Sequence, residues 1–95
     1  MAKLAAAPGR RDELVAVLQL ALDNVENEAG TTYYLLHADD NDADLLWMYE
    51  LYEAKEDLQA HMGAPWFAEL GPKLAPLLGG RPELNFMTPL GGKGL

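Results

Sequence analysis

The sequence predicts an α+β domain with the element order strand, helix, strand, strand, helix, strand. Three observations predict it. Leu14, Leu18, Ala21, Leu22 and Val25 recur at the spacing of one helix face. The runs TTYYLLHA and LLWMYELY are rich in β-branched and aromatic residues and flank an acidic turn sequence. A second apolar series at helical spacing follows them, and an alternating segment from Glu83 closes the pattern.

Ala2 to Ala7 is a short apolar run closed by Pro8 and Gly9, which suits a brief first strand and a turn. The first helix is expected from Arg10 to about Asn27, with Arg11, Asp12, Gln19, Asp23 and Glu26 on its polar side. Asp12 and Glu13 sit in the first turn, where the helix dipole favours negative charge, and Gly30 is expected to supply the stop. Thr31–Ala38 and Leu45–Tyr52 then pair as an antiparallel hairpin across Asp39, Asp40, Asn41 and Asp42. Lys55–Met62 carries Leu58, His61 and Met62 on one helical face and breaks at Gly63 to Pro65. A second helical piece is expected from Trp66 to Leu78, with Phe67, Leu70, Leu74 and Leu77 spaced for burial and Pro72 and Pro76 limiting its regularity. Glu83 to Leu90 suits a last strand and Gly91 to Leu95 a loose tail, so residues 1–90 read as a single domain. This order is the split βαβ arrangement of the ferredoxin-like sandwich.

Strand alternation divides the hairpin into two faces. Tyr34 and Leu36 share one side, with Tyr33, Leu35 and His37 on the other; Leu46, Met48, Glu50 and Tyr52 likewise oppose Leu45, Trp47, Tyr49 and Leu51. Neither face is plainly polar, and a sheet apolar on both faces needs two covers. The helices of one chain of 95 residues can cover one face. A second copy is therefore the expected cover of the other, and a homodimer is the expected state. The odd-numbered wall is assigned to that interface and the even-numbered one to a pocket under the helices; the reverse assignment stays open, because strand parity separates the faces without saying which cover each receives.

Composition narrows the function classes. A formal charge of −8, with only seven basic residues, argues against nucleic acid or an anionic membrane as partner. The absence of cysteine removes disulfides, thiolate metal sites and a Cys nucleophile. The first residues lack a signal peptide's long apolar region, and no run approaches the length of a membrane span, so a cytoplasmic protein is expected. The acidic loop from Asp39 to Asp44 fails as a calcium loop. Counting from Asp40, its sixth position is Leu45 and its twelfth Leu51, where glycine and glutamate are required. No metal site and no P-loop, dinucleotide or zinc-protease motif is expected.

Glu50 stands in an apolar strand, where a charge without a partner is costly to bury; it must be protonated or meet a donor. His61 lies on the inner face of the next helix and is the residue type that moves a proton near neutral pH. The two are the candidate catalytic pair, against the simpler reading of each as a satisfied structural residue. Tyr34, Met48, Tyr52, Trp66 and Phe67 are the candidate substrate contacts, against the simpler reading of aromatics as core.

Motifs in order along the chain carry a resemblance. They are Pro8-Gly9-Arg10-Arg11-Asp12-Glu13-Leu14, Glu28-Ala29-Gly30, Tyr34, Tyr49-Glu50-Leu51-Tyr52-Glu53, His61 and Ala64-Pro65-Trp66-Phe67. Together they resemble the antibiotic biosynthesis monooxygenase domain. The resemblance implies a dimeric α+β barrel and a pocket between sheet and helices. It also implies oxygenation of a small aromatic quinol, anthrone or phenol without a cofactor. The chain departs from the family pattern where no proline precedes Gly30, where Tyr52 replaces a usual tryptophan, and where Trp66 replaces a frequent second histidine. The family's haem-degrading branch uses a strand-one asparagine and a strand-three tryptophan that this chain lacks, which argues against haem. A non-catalytic dimeric module that binds a small apolar ligand or stabilises a partner is the competing expectation.

Overall fold

The computed structural model describes residues 1–94. They form a four-stranded antiparallel sheet with helices over one face, its strands lying side by side in the chain order second, third, first, fourth. The strands are β1 (Ala2–Ala5), β2 (Thr31–Ala38), β3 (Leu45–Tyr52) and β4 (Glu83–Leu84). The helices are α1 (Arg11–Val25), α2 (Lys55–Met62) and α3 (Pro65–Leu74), the last running into a single 3-10 turn at Ala75–Leu77. β1 and β2, joined through α1, do not touch, because β3 lies between them and pairs with both. That insertion is the split βαβ topology expected from the element order.

The core lies between the sheet and the helices. Leu14, Leu18 and Ala21 of α1 meet Leu4 and Ala6 from the first strand and its extension, Leu46 of β3, Leu70 of α3 and Leu77. Each fully buried leucine contributes about 1.5–3 kcal/mol relative to exposure. Pro65 opens α3 at a position where its missing N–H is not needed. Pro72 lies inside α3, and the chain tightens to a 3-10 turn at Ala75 and Pro76, as the prolines foretold.

Four expectations change. Beyond Ala5 the first strand continues only as a bridge from Ala6 to Leu78, backed by the Gly79 N–H bond to the Ala5 carbonyl. Gly30 does not stop α1, which ends at Val25. A side chain at Gly30 would instead collide with Asp57, so the residue is small because α2 passes close by. The second helical piece starts one residue earlier than expected and gives way to the 3-10 turn at Ala75. The last strand is two residues long, not eight. Its register, Lys3 to Glu83 and Ala2 to Leu84, carries it toward the start of β1, so the ladder gives out at the Asn85 N–H bond to the Met1 carbonyl. Residues from Asn85 to Gly94 are exposed and outside regular structure; of the tail expected at Gly91–Leu95, Leu95 lies outside the described residues.

The hairpin pairs as the alternation predicted. Tyr34 faces Glu50, Leu36 faces Met48 and Ala38 faces Leu46, and of these all but the exposed Ala38 lie under the helices. On the opposite face Tyr33 and Leu35 are exposed. The connecting loop is held by Asp39, whose carboxylate accepts the N–H groups of Asn41 and Asp42 and the indole N–H of Trp47. Those bonds, Trp47's first, hold the Asp39 carboxyl below the usual range. Among the described residues no helix is long and apolar enough to cross a membrane.

Candidate active site

His61 is the one buried residue of α2, at 2% exposure. The rest of that short helix is polar or half exposed, so its packing converges on an imidazole where an aliphatic residue would be usual. Four rings surround it, with centroids at 5.3 Å for Tyr34, 5.5 Å for Tyr52, 5.2 Å for Trp66 and 5.2 Å for Phe67. Its two nitrogens face different carboxylates. Nδ1 lies 2.8 Å from Glu28 Oε1, and Nε2 lies 3.7 Å from Glu50 Oε1. The first separation is a hydrogen bond and the second is too long to be one.

Glu50 meets the donor its strand position demanded. The Tyr52 hydroxyl donates to Glu50 Oε1 at 2.6 Å. Burial, then that bond and the charge of Glu50, push the Tyr52 hydroxyl far above the ordinary tyrosine range. Burial first, then the charges of Glu50 and Glu28, push Tyr34 upward as well. Both phenols are therefore neutral at physiological pH, and Tyr52 is the one that donates to Glu50.

Glu28 is the residue that reading the sequence for chemistry passed over. It sits in the turn between α1 and β2, where its N–H bonds to the Val25 carbonyl and its own carbonyl accepts from the Thr31 N–H. This backbone clamp aims the side chain inward. Its Oε1 accepts from the Thr31 hydroxyl at 2.9 Å and its Oε2 from the Trp66 indole at 3.1 Å. Thr31 reaches it because of a β-bulge: the register passes from Thr31 opposite Tyr52 to Tyr33 opposite Leu51, leaving Thr32 as the extra residue. Strict alternation would have turned Thr31 outward with Tyr33. The available signal was an acid two residues before a glycine at the entrance of a strand, in a motif read only for its family likeness.

A cavity of about 610 Å³ opens beside His61. Tyr34, Met48, Glu50, Tyr52 and Phe67 line it, and Leu84 to Thr88 border it from the last segment. The structure thus brings together His61, Glu50 and four of the five candidate contacts. Trp66 is the exception: its edge packs on His61, its N–H serves Glu28, and it lies outside the lining. Chemically, the site offers a buried imidazole with one nitrogen anchored and the other on the cavity side, next to a carboxylate–phenol pair.

The same architecture occurs in known proteins. A structure from Chloroflexus aurantiacus J-10-fl, a candidate antibiotic biosynthesis monooxygenase, is 26% identical, with TM-score 0.75 over 98% of this chain and 92% of that one. A candidate antibiotic biosynthesis monooxygenase from Caulobacter crescentus CB15 is 29% identical, with TM-score 0.79 over 86% of this chain and 78% of that one. Rv0793 from Mycobacterium tuberculosis, at 24% identity, shares the fold with TM-score 0.87 over 98% and 94% of the two chains. No curated protein matches the chain. The sequence pattern of the family described as antibiotic biosynthesis monooxygenase matches residues 1–71, from the first strand into α3. Since that span holds every strand, turn and helix that positions His61, the chain belongs to the antibiotic biosynthesis monooxygenase family.

Proposed function

We propose that this chain is a homodimeric, cofactor-independent monooxygenase that oxidises a small aromatic quinol, anthrone or phenol in the cavity beside His61. The observation that carries the reading is a buried imidazole, 2% exposed, on the wall of an aromatic-lined cavity of about 610 Å³. That volume is in the range of small-molecule sites. Tyr34, Met48, Tyr52 and Phe67 supply the walls for a flat ring, and Glu50 orients its hydroxyl group.

For an anthrone the atoms balance without an added reductant. His61 accepts a proton from the activated methylene, and the carbanion passes an electron to dioxygen. The resulting radical pair joins as a peroxide, which takes the proton back. Loss of water then leaves a carbonyl, so one oxygen atom stays in the product and the other departs as water. The apolar lining keeps bulk water from the carbanion and the peroxide.

Oxygen uptake with a panel of anthrones and quinols tests this. The expected result is turnover that His61→Ala lowers by about 10²–10⁴-fold, as for loss of a general base. Absence of uptake across the panel, or a rate indifferent to His61→Ala, overturns it. The engagement of Glu50 by the Tyr52 hydroxyl favours one competitor, a module that binds an apolar ligand without turnover. Thermal stabilisation by the same compounds with no oxygen consumed would select that reading.

A further inference from the structure

We infer that Glu28 is a positioning residue that holds His61 as the Nδ1–H tautomer, leaving Nε2 as the nitrogen that exchanges a proton with a ligand in the cavity. The inference about the tautomer stands on geometry alone; its consequence for turnover rests on the function proposed above.

The indole nitrogen of Trp66 can only donate. Its bond to Glu28 Oε2 at 3.1 Å makes that oxygen an acceptor. The Thr31 hydroxyl, at 2.9 Å, and His61 Nδ1, at 2.8 Å, both meet the other oxygen. With donors on both oxygens, the carboxylate is held in its acceptor-only form. The short Nδ1 contact is then an N–H donated by His61. A neutral imidazole that carries its proton on Nδ1 presents a lone pair at Nε2.

That lone pair faces Glu50 Oε1 across 3.7 Å. Glu50 Oε1 already accepts from the Tyr52 hydroxyl, so neither group supplies the other with a proton. Two acceptors separated by slightly more than a hydrogen bond form a receptor for a donor, and a ligand hydroxyl is the group that satisfies it. The titratable groups that face His61 are Glu28 from the turn before β2, Tyr34 from β2, and Glu50 and Tyr52 from β3. Of these, only Glu28 fixes a ring nitrogen at hydrogen-bond distance. The opposite tautomer would put an N–H on the cavity side and leave Nδ1 as an acceptor against a carboxylate.

Nitrogen-15 NMR of the intact protein at a pH where His61 is neutral reads the tautomer directly. The expected spectrum shows a protonated Nδ1 and a pyridine-like Nε2 in the wild type. In Glu28→Gln, which keeps the shape but can present an amide N–H to Nδ1, the population shifts toward the Nε2–H form. With a substrate found by oxygen uptake, the same variant is expected to lose at least about tenfold in kcat with little change in KM, the pattern for an interaction made in the transition state. Glu28→Asp, which restores a carboxylate, returns part of that loss. An Nε2–H tautomer in the wild type overturns the inference, as does a Glu28→Gln spectrum identical to the wild type. If no compound is turned over, the oxygenase reading fails while the NMR result still decides the role of Glu28.

Discussion

Tyr34 and Tyr52 show how a cluster around one imidazole changes what its members can do. Both hydroxyls keep their protons more tightly in the folded chain than in the unfolded one, chiefly through burial and then through Glu50. The stability tied to those protons is complete below the unfolded tyrosine range, near about pH 10, and is lost as pH rises from there toward the raised folded values. Urea midpoints measured from about pH 9 to about pH 11 should therefore fall. The fall should be shallower in a Tyr34→Phe, Tyr52→Phe double variant. Equal slopes in the two proteins would mean that the phenols do not carry it. At this level the sequence was informative about His61 and Glu50, whose types are conspicuous in apolar surroundings. It was silent about Glu28, because an acid in a turn is ordinary until three donors converge on it.

Among the elements, two glycines separate close approach from open space. A Cβ at Gly79 would lie 2.7 Å from the Ala6 carbonyl oxygen, where backbone must give way. Gly71, in α3, has nothing within 4 Å of the same point. Gly79→Ala should cost about 1–3 kcal/mol, the usual penalty for overpacking. Gly71→Ala should gain about 0.5–1 kcal/mol from lower chain entropy and better helix propensity. Chemical denaturation of both variants checks the pair, and equal effects would contradict the assigned contact. The bounds of α2 and of the hairpin strands were legible, since periodicity and turn residues mark them locally. The end of β4 was not: Phe86 and Thr88 alternate like strand residues, but a strand also needs a partner, and the register with β1 runs out at Asn85.

Taken as one body, the described residues leave an apolar sheet face open. Tyr33 and Leu35 are exposed there beside Trp47 and Tyr49, while the opposite face is covered by the helices. A second copy is the proposed cover, and light scattering at micromolar concentration should return twice the mass of one chain. Leu35→Asp, which would bury a charge in the interface, should return a single mass. A wild-type monomer would remove the proposal.

Local chemistry, legible in the residues alone, settled the element order and the separation of the hairpin into two faces. Helical spacing, strand alternation and turn residues act over a few positions, and each leaves its trace in the chain. Long-range register settled the remainder. It turned Thr31 inward at a bulge, set Trp66 on Glu28 and not in the cavity, and ended β4 after two residues. Those outcomes depend on which residues stand opposite one another across the fold, and a pairing between distant segments is not written in either segment separately.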